Sequence, residues 1–318
     1  MEIGSFIELE LKKGNEYYKG DNVARLNSAR AGIYHALRIL DCNTANIPYY
    51  QCNTVRDFLL NKGIKIKYYH IDSGFNPIDL EVGDDEAVLL VNYYGIMSGA
   101  RMGELAAGYK NVIIDNSQAF FAKPIDNCMN VYSPRKFFGV PDGCYVIGNN
   151  ANRLTGEYGQ DYSSDTSLFL LKRIEAGCEK SYADRMENEK RIDRSDILKM
   201  SGLTHAILDG IDYQRVIAKR RENFMLAKEL FDSVNKLDVS GYYDKDCIPM
   251  VYPLVYEDDG IMDILHKNKI FQGRWWSYLL DEVKAETFEY YISRYIIPIT
   301  IDQRYGADEL KFTRELIK

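Results

Sequence analysis

The sequence predicts an α/β protein, with a three-layer α/β/α large domain built on a mostly parallel sheet and a smaller C-terminal α+β domain. Helix-like and strand-like stretches alternate at short intervals between Asn22 and Asn150, which is the pattern of α/β folds. Several strand-like runs, such as AVLLV and VII, are almost continuously apolar, as expected for strands that helices cover on both faces. The 318 residues correspond to roughly two units of about 150 residues each.

The first helix is expected to begin near Ser28, because serine is a common N-cap and an apolar face with helical spacing follows it in SARAGIYHALRIL. Strands are then expected at six β-rich runs: NIPYY, IKIKYYHI, EAVLLVNYY, NVIIDN, NVYS and CYVIGN. The charged stretch from Ala151 to Ser195 predicts a solvated helix or a linker.

Helical patterns resume after this stretch, and three more strands are expected at MVYPLVY, IFQGRWW and YIIPITI. We therefore expect a large domain with its connecting segment at residues 1–195. A smaller C-terminal domain, including its entry helix, is expected at residues 196–318.

Composition and charge argue against several classes of protein. The net charge is -7 and the basic residues are dispersed, so the basic face that nucleic acids require is not expected. The N-terminus lacks a signal-peptide pattern and no run approaches the ~20 apolar residues of a membrane span, which predicts a soluble cytoplasmic protein with no membrane partner. The cysteines show no metal-ligand spacing, so neither a metal site nor a disulfide framework is expected.

Polar residues that could carry chemistry follow two of the expected strands. Asp115 and Gln118 come at the end of the strand in VIIDNSQAF, and functional groups of open α/β sheets cluster at such strand ends. Lys136 follows the strand in NVYSPRKFFGVPDG, in a turn rich in glycine, and a partly desolvated lysine there would be a nucleophile toward carbonyl carbons. Taken separately, Asp115 also fits a helix N-cap and Lys136 a surface turn.

The start of the first helix suits an anion. NSARAG places the small residues Ser28, Ala29, Ala31 and Gly32 where backbone N–H groups and the helix dipole can approach a phosphate, and Arg30 adds positive charge.

In this order, the helix start, the strand-end aspartate and the lysine turn resemble the large domain of the fold type I pyridoxal-phosphate (PLP) enzymes. The DegT/DnrJ/EryC1/StrS sugar aminotransferase family is the closest resemblance. LNSARAGIYHAL is similar to that family's phosphate turn, IIDNSQAF to its aspartate strand end, and SPRKFFGVPDG to its lysine loop. KMSGLTHAIL and AKRRENF resemble later helices of the family, and YIIPITID resembles its C-terminal strand.

The resemblance implies a PLP-dependent aminotransferase of sugar biosynthesis that moves an amino group from an amino acid, glutamate by expectation, to a nucleotide-linked keto sugar. Lys136 would form the internal aldimine and shuttle the proton between the substrate and the cofactor, which alternates between PLP and pyridoxamine phosphate (PMP). Asp115 would bind the pyridine nitrogen, and Gln118 would contact the phenolic oxygen or the ring edge.

The resemblance also implies a phosphate site and a homodimer. Ser28, the backbone of Ala29 and Ser133 would hold the phosphate, with Arg30 in place of the family's threonine. A homodimer is implied because active sites of the family lie between subunits. The family's asparagine that reaches the partner's cofactor would fall near Ile197 and is absent.

Some alternatives remain open from the sequence. The aromatic residue that stacks on the cofactor ring in the family would fall near Cys52, or at Tyr50 with a shifted register. The chain could be a non-catalytic relative that binds PLP or a nucleotide sugar as a sensor or assembly partner. SPRK also fits the S-x-x-K motif of acylated hydrolases, but that motif opens a helix, and Pro134 and the preceding strand argue against it.

Overall fold

The computed structural model describes residues 3–317 of the chain. An eight-stranded mixed sheet forms its centre, and a two-stranded sheet lies in the C-terminal part. The strands of the large sheet are β1 (Val23–Leu26), β2 (Thr44–Pro48), β3 (Lys65–Ile71), β4 (Pro77–Ile78), β5 (Ala87–Val91), β6 (Val112–Asn116), β7 (Met129–Tyr132) and β8 (Cys144–Ile147). The small sheet pairs β9 (Val251–Val255) with β10 (Ile296–Thr300) in antiparallel register.

The spatial order of the large sheet is β1-β8-β7-β6-β5-β2-β3-β4. Strands β7, β6, β5, β2 and β3 are parallel to one another. Strand β8 is antiparallel to both β7 and β1, so β1 points in the same direction as the parallel strands. The carboxyl ends of β1, β7, β6, β5 and β2 therefore share one edge of the sheet, and in open α/β sheets this edge carries the ligand.

Helices cover both faces of the sheet and give three layers. On one face, Ile33 and Leu37 share a core with Leu89 and Val131 of the sheet. On the other face, sheet residues such as Leu90 share a core with the C-terminal half of the chain. The α-helices are α1 (Ala29–Leu40), α2 (Asn53–Asn61), α3 (Gly99–Ala106), α4 (Leu168–Arg194), α5 (Gly202–Asp209), α6 (Tyr213–Phe231), α7 (Ile261–Lys267), α8 (Leu279–Glu282), α9 (Phe288–Tyr295) and α10 (Ala307–Leu316).

Most of the expected elements are confirmed. The six strands expected in the first half are present as β2, β3, β5, β6, β7 and β8, and α1 begins directly after Ser28. β1 was not expected, because its four residues include Arg25 and form no apolar run. In the second half, β9 and β10 lie where MVYPLVY and YIIPITI predicted strands.

The strand expected at IFQGRWW is wrong. Residues 270–276 form loop and turn, and Trp276 has a positive φ of 57°. The two indoles pack against the large sheet's edge instead, since Trp275 stacks on Tyr94 with ring centroids 5.4 Å apart and Trp276 meets Tyr50 edge-on at 4.4 Å. The apolar character of this run therefore reflects packing between the two halves of the chain.

The part of the charged stretch from Leu168 to Arg194 forms α4, in line with the expected solvated helix, and the residues before it form short turns. Gly177 interrupts it with φ 81° and ψ -171°. Lys172 and Asp184 form an ion pair of 2.7 Å across this glycine, whereas a straight helix would separate them by about 18 Å along its axis. The chain thus reverses at Gly177, and α4 consists of two helical halves.

The C-terminal half packs on the same sheet. Leu254 of β9 and Ile297 of β10 belong to one core with Val88 and Ile114. The division of the chain at residue 195 stays a prediction. No helix within residues 3–317 combines the length and the apolar character needed to cross a membrane.

Candidate active site

Three strand ends carry the residues that the sequence nominated for a cofactor site. Ser28 follows β1, Asp115 is the fourth residue of β6, and Ser133 and Lys136 follow β7. β6 and β7 are neighbours, with Asp115 beside Val131, and only β8 separates β7 from β1. Three strand spacings, about 14 Å, therefore span the whole group.

The N-terminus of α1 is held close to the sheet. The Oγ of Ser28 caps the helix by accepting the N–H of Ala31 at 3.4 Å. A Cβ on Gly32 would lie 2.5 Å from Sγ of Cys144 and 3.1 Å from Cγ1 of Val131, so only glycine permits this approach. The positive end of the helix thus sits beside the ends of β7 and β8, where its N–H groups can meet an anion.

Asp115 is buried, with 6% of its surface exposed, and both of its oxygens have donors. Oδ1 accepts the N–H of Ser117 at 2.9 Å, and Oδ2 accepts a long hydrogen bond of 3.4 Å from Nε2 of Gln51. The Oε1 of Gln51 is buried and has no hydrogen-bond partner in the part of the chain that the structure describes. A weakly held carboxylate oxygen beside an unsatisfied amide marks a place for polar atoms of a ligand.

Gln118 lies at the same edge and is also buried. Its Oε1 accepts the N–H of Tyr94 at 2.6 Å. Tyr94 has a positive φ of 58°, and this side-chain contact supports its backbone. Because Oε1 is engaged, the Nε2 donor is the end of Gln118 that can serve a ligand.

Lys136 ends a single 3-10 turn, Pro134–Lys136, directly after β7. Gly143 packs beneath this turn with φ +123°, and a Cβ there would lie 2.9 Å from Cγ of Pro134. The N–H of Gly143 donates to the carbonyl of Asn27 at 2.7 Å, which ties the turn to the residue before Ser28. The Lys136 side chain is exposed, contrary to the partial desolvation expected, because the apolar residues of the turn fill the interior instead.

The acidic residue of the lysine loop has a structural role. Asp142 is fully buried and accepts the N–H of Ser201 at 2.8 Å and its Oγ at 2.6 Å, together with the hydroxyl of Thr204. These residues begin α5. The carboxylate therefore binds the loop to the N-terminus of α5, where a negative charge is favourable.

Two arginines of the site region contact α4. Arg30 forms an ion pair of 2.7 Å with Asp193, and Arg135 forms one of 2.6 Å with Glu189. The two acids are four residues apart and so lie on one face of the helix. The guanidinium of Arg30, which the sequence analysis assigned to a phosphate, thus has a carboxylate partner.

Arg220 lies behind the lysine turn, and its role was missed by the sequence analysis. It is 1% exposed, and its guanidinium sits 4.4 Å from the ring centroid of Phe137. It donates to carbonyls of residues 249–250 at 3.3 and 3.1 Å and to Oε1 of Gln303 at 3.0 Å. The amide of Gln303 in turn donates to the carbonyl of Phe137 at 2.9 Å. Burial lowers the pKa of Arg220 to about 10.

The two residues considered for the ring-stacking position, Tyr50 and Cys52, lie in different surroundings. Tyr50 is fully buried and its hydroxyl pairs with that of Tyr94 at 2.6 Å, so it belongs to the core. Cys52 is half-buried, with Sγ 3.1 Å from Oγ1 of Thr54. Gln51, between them, is the residue that contacts Asp115. The sequence signal that could have identified Gln51 is its position directly after the two tyrosines that follow β2.

Similar backbones occur among solved structures. The sugar aminotransferase CalS13 from Micromonospora echinospora has a TM-score of 0.64 and 16% identity, over 93% of this chain and 87% of that chain. NtdA from Bacillus subtilis, solved with bound cofactor PMP, has a TM-score of 0.65 and 15% identity, over 93% of this chain and 72% of that chain. A DegT DnrJ EryC1 StrS aminotransferase from Brucella abortus has a TM-score of 0.62 and 11% identity, over 93% and 85%.

This chain has the fold of the sugar aminotransferases. The expected fold type I architecture is thereby confirmed. No family model matches the chain, and no curated protein matches it. At identities of 11–16% the likeness concerns the path of the backbone, so the roles of individual residues rest on the geometry described above.

Proposed function

We propose that this protein is a PLP-dependent aminotransferase. The observation that carries the proposal is the position of Asp115 and Lys136 at the ends of neighbouring parallel strands, with the N-terminus of α1 at the same edge. A carboxylate, a lysine and an anion-binding helix end are the groups that hold this cofactor. Structural neighbours support the choice: NtdA is described with PMP, one form of Spr1654 from Streptococcus pneumoniae with PLP, and DesV of S. venezuelae with a ketimine intermediate.

The residues present fit the two ends of the cofactor. At the phosphate end, the N–H groups of the first turn of α1, including that of Ala29, and the hydroxyls of Ser28 and Ser133 supply donors. Arg30 adds positive charge that Asp193 partly offsets. At the ring end, the long Asp115 contact and the unsatisfied Oε1 of Gln51 leave polar atoms for the pyridine nitrogen. Bound PLP supplies an aldehyde for an amine and a ring that accepts an electron pair.

Three residues of the protein have proposed roles beside the cofactor. Asp115, with one oxygen fixed by the N–H of Ser117, would keep the ring nitrogen protonated. The Nε2 of Gln118 would donate to the ring oxygen. Lys136, on a turn anchored from behind, would hold the cofactor at its aldehyde carbon. Once a substrate amine has displaced it there, its free amine would be placed to move the proton of the carbon that bears the amino group.

We propose a nucleotide-linked keto sugar as the amino acceptor and glutamate as the donor. The sequence resemblance and the sugar aminotransferases among the structural neighbours support this class. A nucleotide-linked keto sugar incubated with the protein, PLP and glutamate should yield an amino sugar, detected by mass spectrometry. Transfer to keto acids but to no keto sugar would contradict the proposed acceptor.

We further propose a homodimer in the cytoplasm. Apolar side chains are exposed on both halves of α4, with Leu171 at 52%, Ile174 at 83% and Tyr182 at 58%, and a second copy would cover them. All six cysteines are free, which suits a reducing compartment. Light scattering of the purified protein should give twice the mass of the chain. A monomeric mass at micromolar concentration would contradict the dimer.

The deciding experiment is an absorbance spectrum with added PLP, before and after glutamate, for the wild-type chain and Lys136→Ala. A visible band that needs Lys136 and disappears on adding glutamate is expected. Lys123→Ala, at an exposed lysine after β6, is the matched control and should leave the band unchanged. A Lys136-dependent band that no amino donor alters would favour a non-catalytic sensor or assembly partner. Absence of the band would refute the cofactor.

A further inference from the structure

The side chain of Gln51 reaches Asp115 from two strands away. Gln51 comes shortly after β2, Asp115 lies in β6, and β5 runs between these two strands. Gln51 is 4% exposed, and its Nε2 donates to Oδ2 of Asp115 at 3.4 Å. Within residues 3–317, it is the one side chain that donates a hydrogen bond to this carboxylate.

Both hydrogen-bond donors on Asp115 are neutral. Oδ1 accepts the backbone N–H of Ser117 at 2.9 Å, and Oδ2 accepts the amide of Gln51. Neutral donors fix the direction of a carboxylate without cancelling its charge. A carboxylate oxygen also has two lone pairs, so Oδ2 can accept from Gln51 and from an N–H group of a ligand at the same time.

Both halves of the chain hold the backbone around Gln51. Its N–H donates to the carbonyl of Tyr49 at 2.9 Å, and its carbonyl accepts the hydroxyl of Tyr278. Trp276 packs edge-on against the neighbouring Tyr50. These contacts fix the start of the side chain, whereas Oε1 at its end is buried without a hydrogen-bond partner among the described residues. A ligand that brings a donor would relieve this unfavourable state.

We propose that Gln51 is a positioning residue for Asp115. Its amide holds Oδ2 in the direction of the ring nitrogen of the cofactor, and so makes the affinity for the cofactor depend on that nitrogen. This role rests on the proposed function, because it needs PLP at this edge of the sheet. An apolar side chain in place of Gln51 would leave Oδ2 without its donor and free to turn away from the ring.

The binding of two ligands tests the proposal: PLP, and an analogue in which a carbon replaces the ring nitrogen. Both carry the same phosphate and aldehyde, so only contacts to the nitrogen differ. Gln51→Met keeps the length of the side chain but has no donor. It should weaken PLP binding about tenfold, as expected for the loss of one hydrogen bond to a charged group, and change the affinity for the analogue by less than about twofold. Isothermal titration calorimetry on the full chain measures both dissociation constants.

Tyr278→Phe is a second, milder variant. It removes the hydroxyl that holds the carbonyl of Gln51 but keeps the ring, so PLP binding should weaken by about threefold and binding of the analogue should not change. Gln160→Met is the matched control. It makes the same change at a glutamine whose Nε2 donates to the carbonyl of Met200 at 2.6 Å, so neither affinity should change.

Equal weakening of both ligands in Gln51→Met would show that Gln51 only supports the structure, and would overturn the proposal. An unchanged affinity of Gln51→Met for PLP would overturn it as well, while leaving the cofactor itself established. Wild-type protein that bound neither ligand would instead refute the proposed function, and the role of Gln51 with it.

Discussion

At the scale of single residues, Arg220 shows how one buried cation holds a functional turn in place. A guanidinium that is 1% exposed would cost much free energy without partners, and here carbonyls, an amide and an aromatic face provide them. The planar fork matters, because its N–H groups reach two segments of the chain while its face lies over the ring of a third. The backbone after Lys136 is thereby bound to α6 and to the end of β10.

Arg220→Lys keeps the charge but loses the fork. We expect a loss of about 3 kcal/mol in the free energy of unfolding, since hydrogen bonds of a charged group are lost in a buried place. Denaturant titration followed by circular dichroism measures it. Arg221→Lys, at the exposed neighbouring position, should change stability by less than about 0.5 kcal/mol. Equal losses in both variants would show that the buried network contributes nothing.

Asp115→Asn tests the proposed ring contact at the same scale. The amide has the size of the carboxylate but no charge, so the cofactor should still bind while the rate of amino transfer falls by about 10²- to 10⁴-fold. Stopped-flow absorbance with glutamate gives the rate. Asp126→Asn, in an exposed loop after β6, is the control. A rate within twofold of wild type for Asp115→Asn would remove this residue from the mechanism.

At the scale of elements, the distance between α1 and the sheet is set by Gly32. A methyl group at this position meets Cys144 and Val131, so either the helix or the strands must move. The N-terminus of α1 moves with the helix, and it is the proposed phosphate site. One small residue on the buried face of a helix thus determines where its polar end lies.

Gly32→Ala should therefore destabilise the protein by about 1 to 3 kcal/mol and weaken PLP binding, measured by thermal unfolding and by titration of the visible band. Gly103→Ala, in the middle of α3, is the contrasting case. Apart from its chain neighbours and the nearby backbone of its own helix, no atom lies within 4 Å of that Cβ. The change should therefore stabilise the helix by up to about 1 kcal/mol. A Gly32→Ala protein as stable as wild type would mean that the sheet repacks without cost.

At the scale of the whole molecule, Glu16 connects the N-terminal segment to the sheet and to α5. Its carboxylate accepts hydrogen bonds from Tyr145 of β8 at 2.7 Å and from Arg25 of β1 at 3.0 Å, and it contacts the ring of His205 in α5. Burial raises the pKa of Glu16, but these hydrogen bonds outweigh burial and lower the pKa to about 2. The N-terminal segment is thus attached to the sheet through one charged group.

The lowered pKa predicts how stability depends on pH. The ordinary value is 4.5, so the ionised form contributes its full stabilisation above that pH, and the contribution is lost as the pH falls from about 4.5 to about 2. Glu16→Gln should lower the free energy of unfolding at neutral pH by about 2 kcal/mol and flatten its fall in acid. Glu8→Gln, exposed on the same segment, should change neither. If the free energy of unfolding fell equally steeply in acid for Glu16→Gln and for wild type, this assignment would be wrong.

The sequence by itself determined the local elements and the candidates for chemistry. Ser28 marked the start of α1 because a cap acts within four residues, and apolar runs marked the buried strands because burial on both faces requires them. The order of helix start, Asp115 and Lys136 pointed to the fold that the structure shows, since each of them lies at the carboxyl end of a strand and these strands end at one edge.

Only the tertiary structure decided which side chains meet across the chain. Gln51 on Asp115, Arg220 behind Phe137 and Glu189 on Arg135 are contacts between segments at least 54 residues apart. The tryptophans of IFQGRWW look like a strand locally but pack on Tyr94 and Tyr50. Hydrophobic burial and charge pairing depend on which residues lie opposite one another in space. The spacing of residues along the sequence does not specify this.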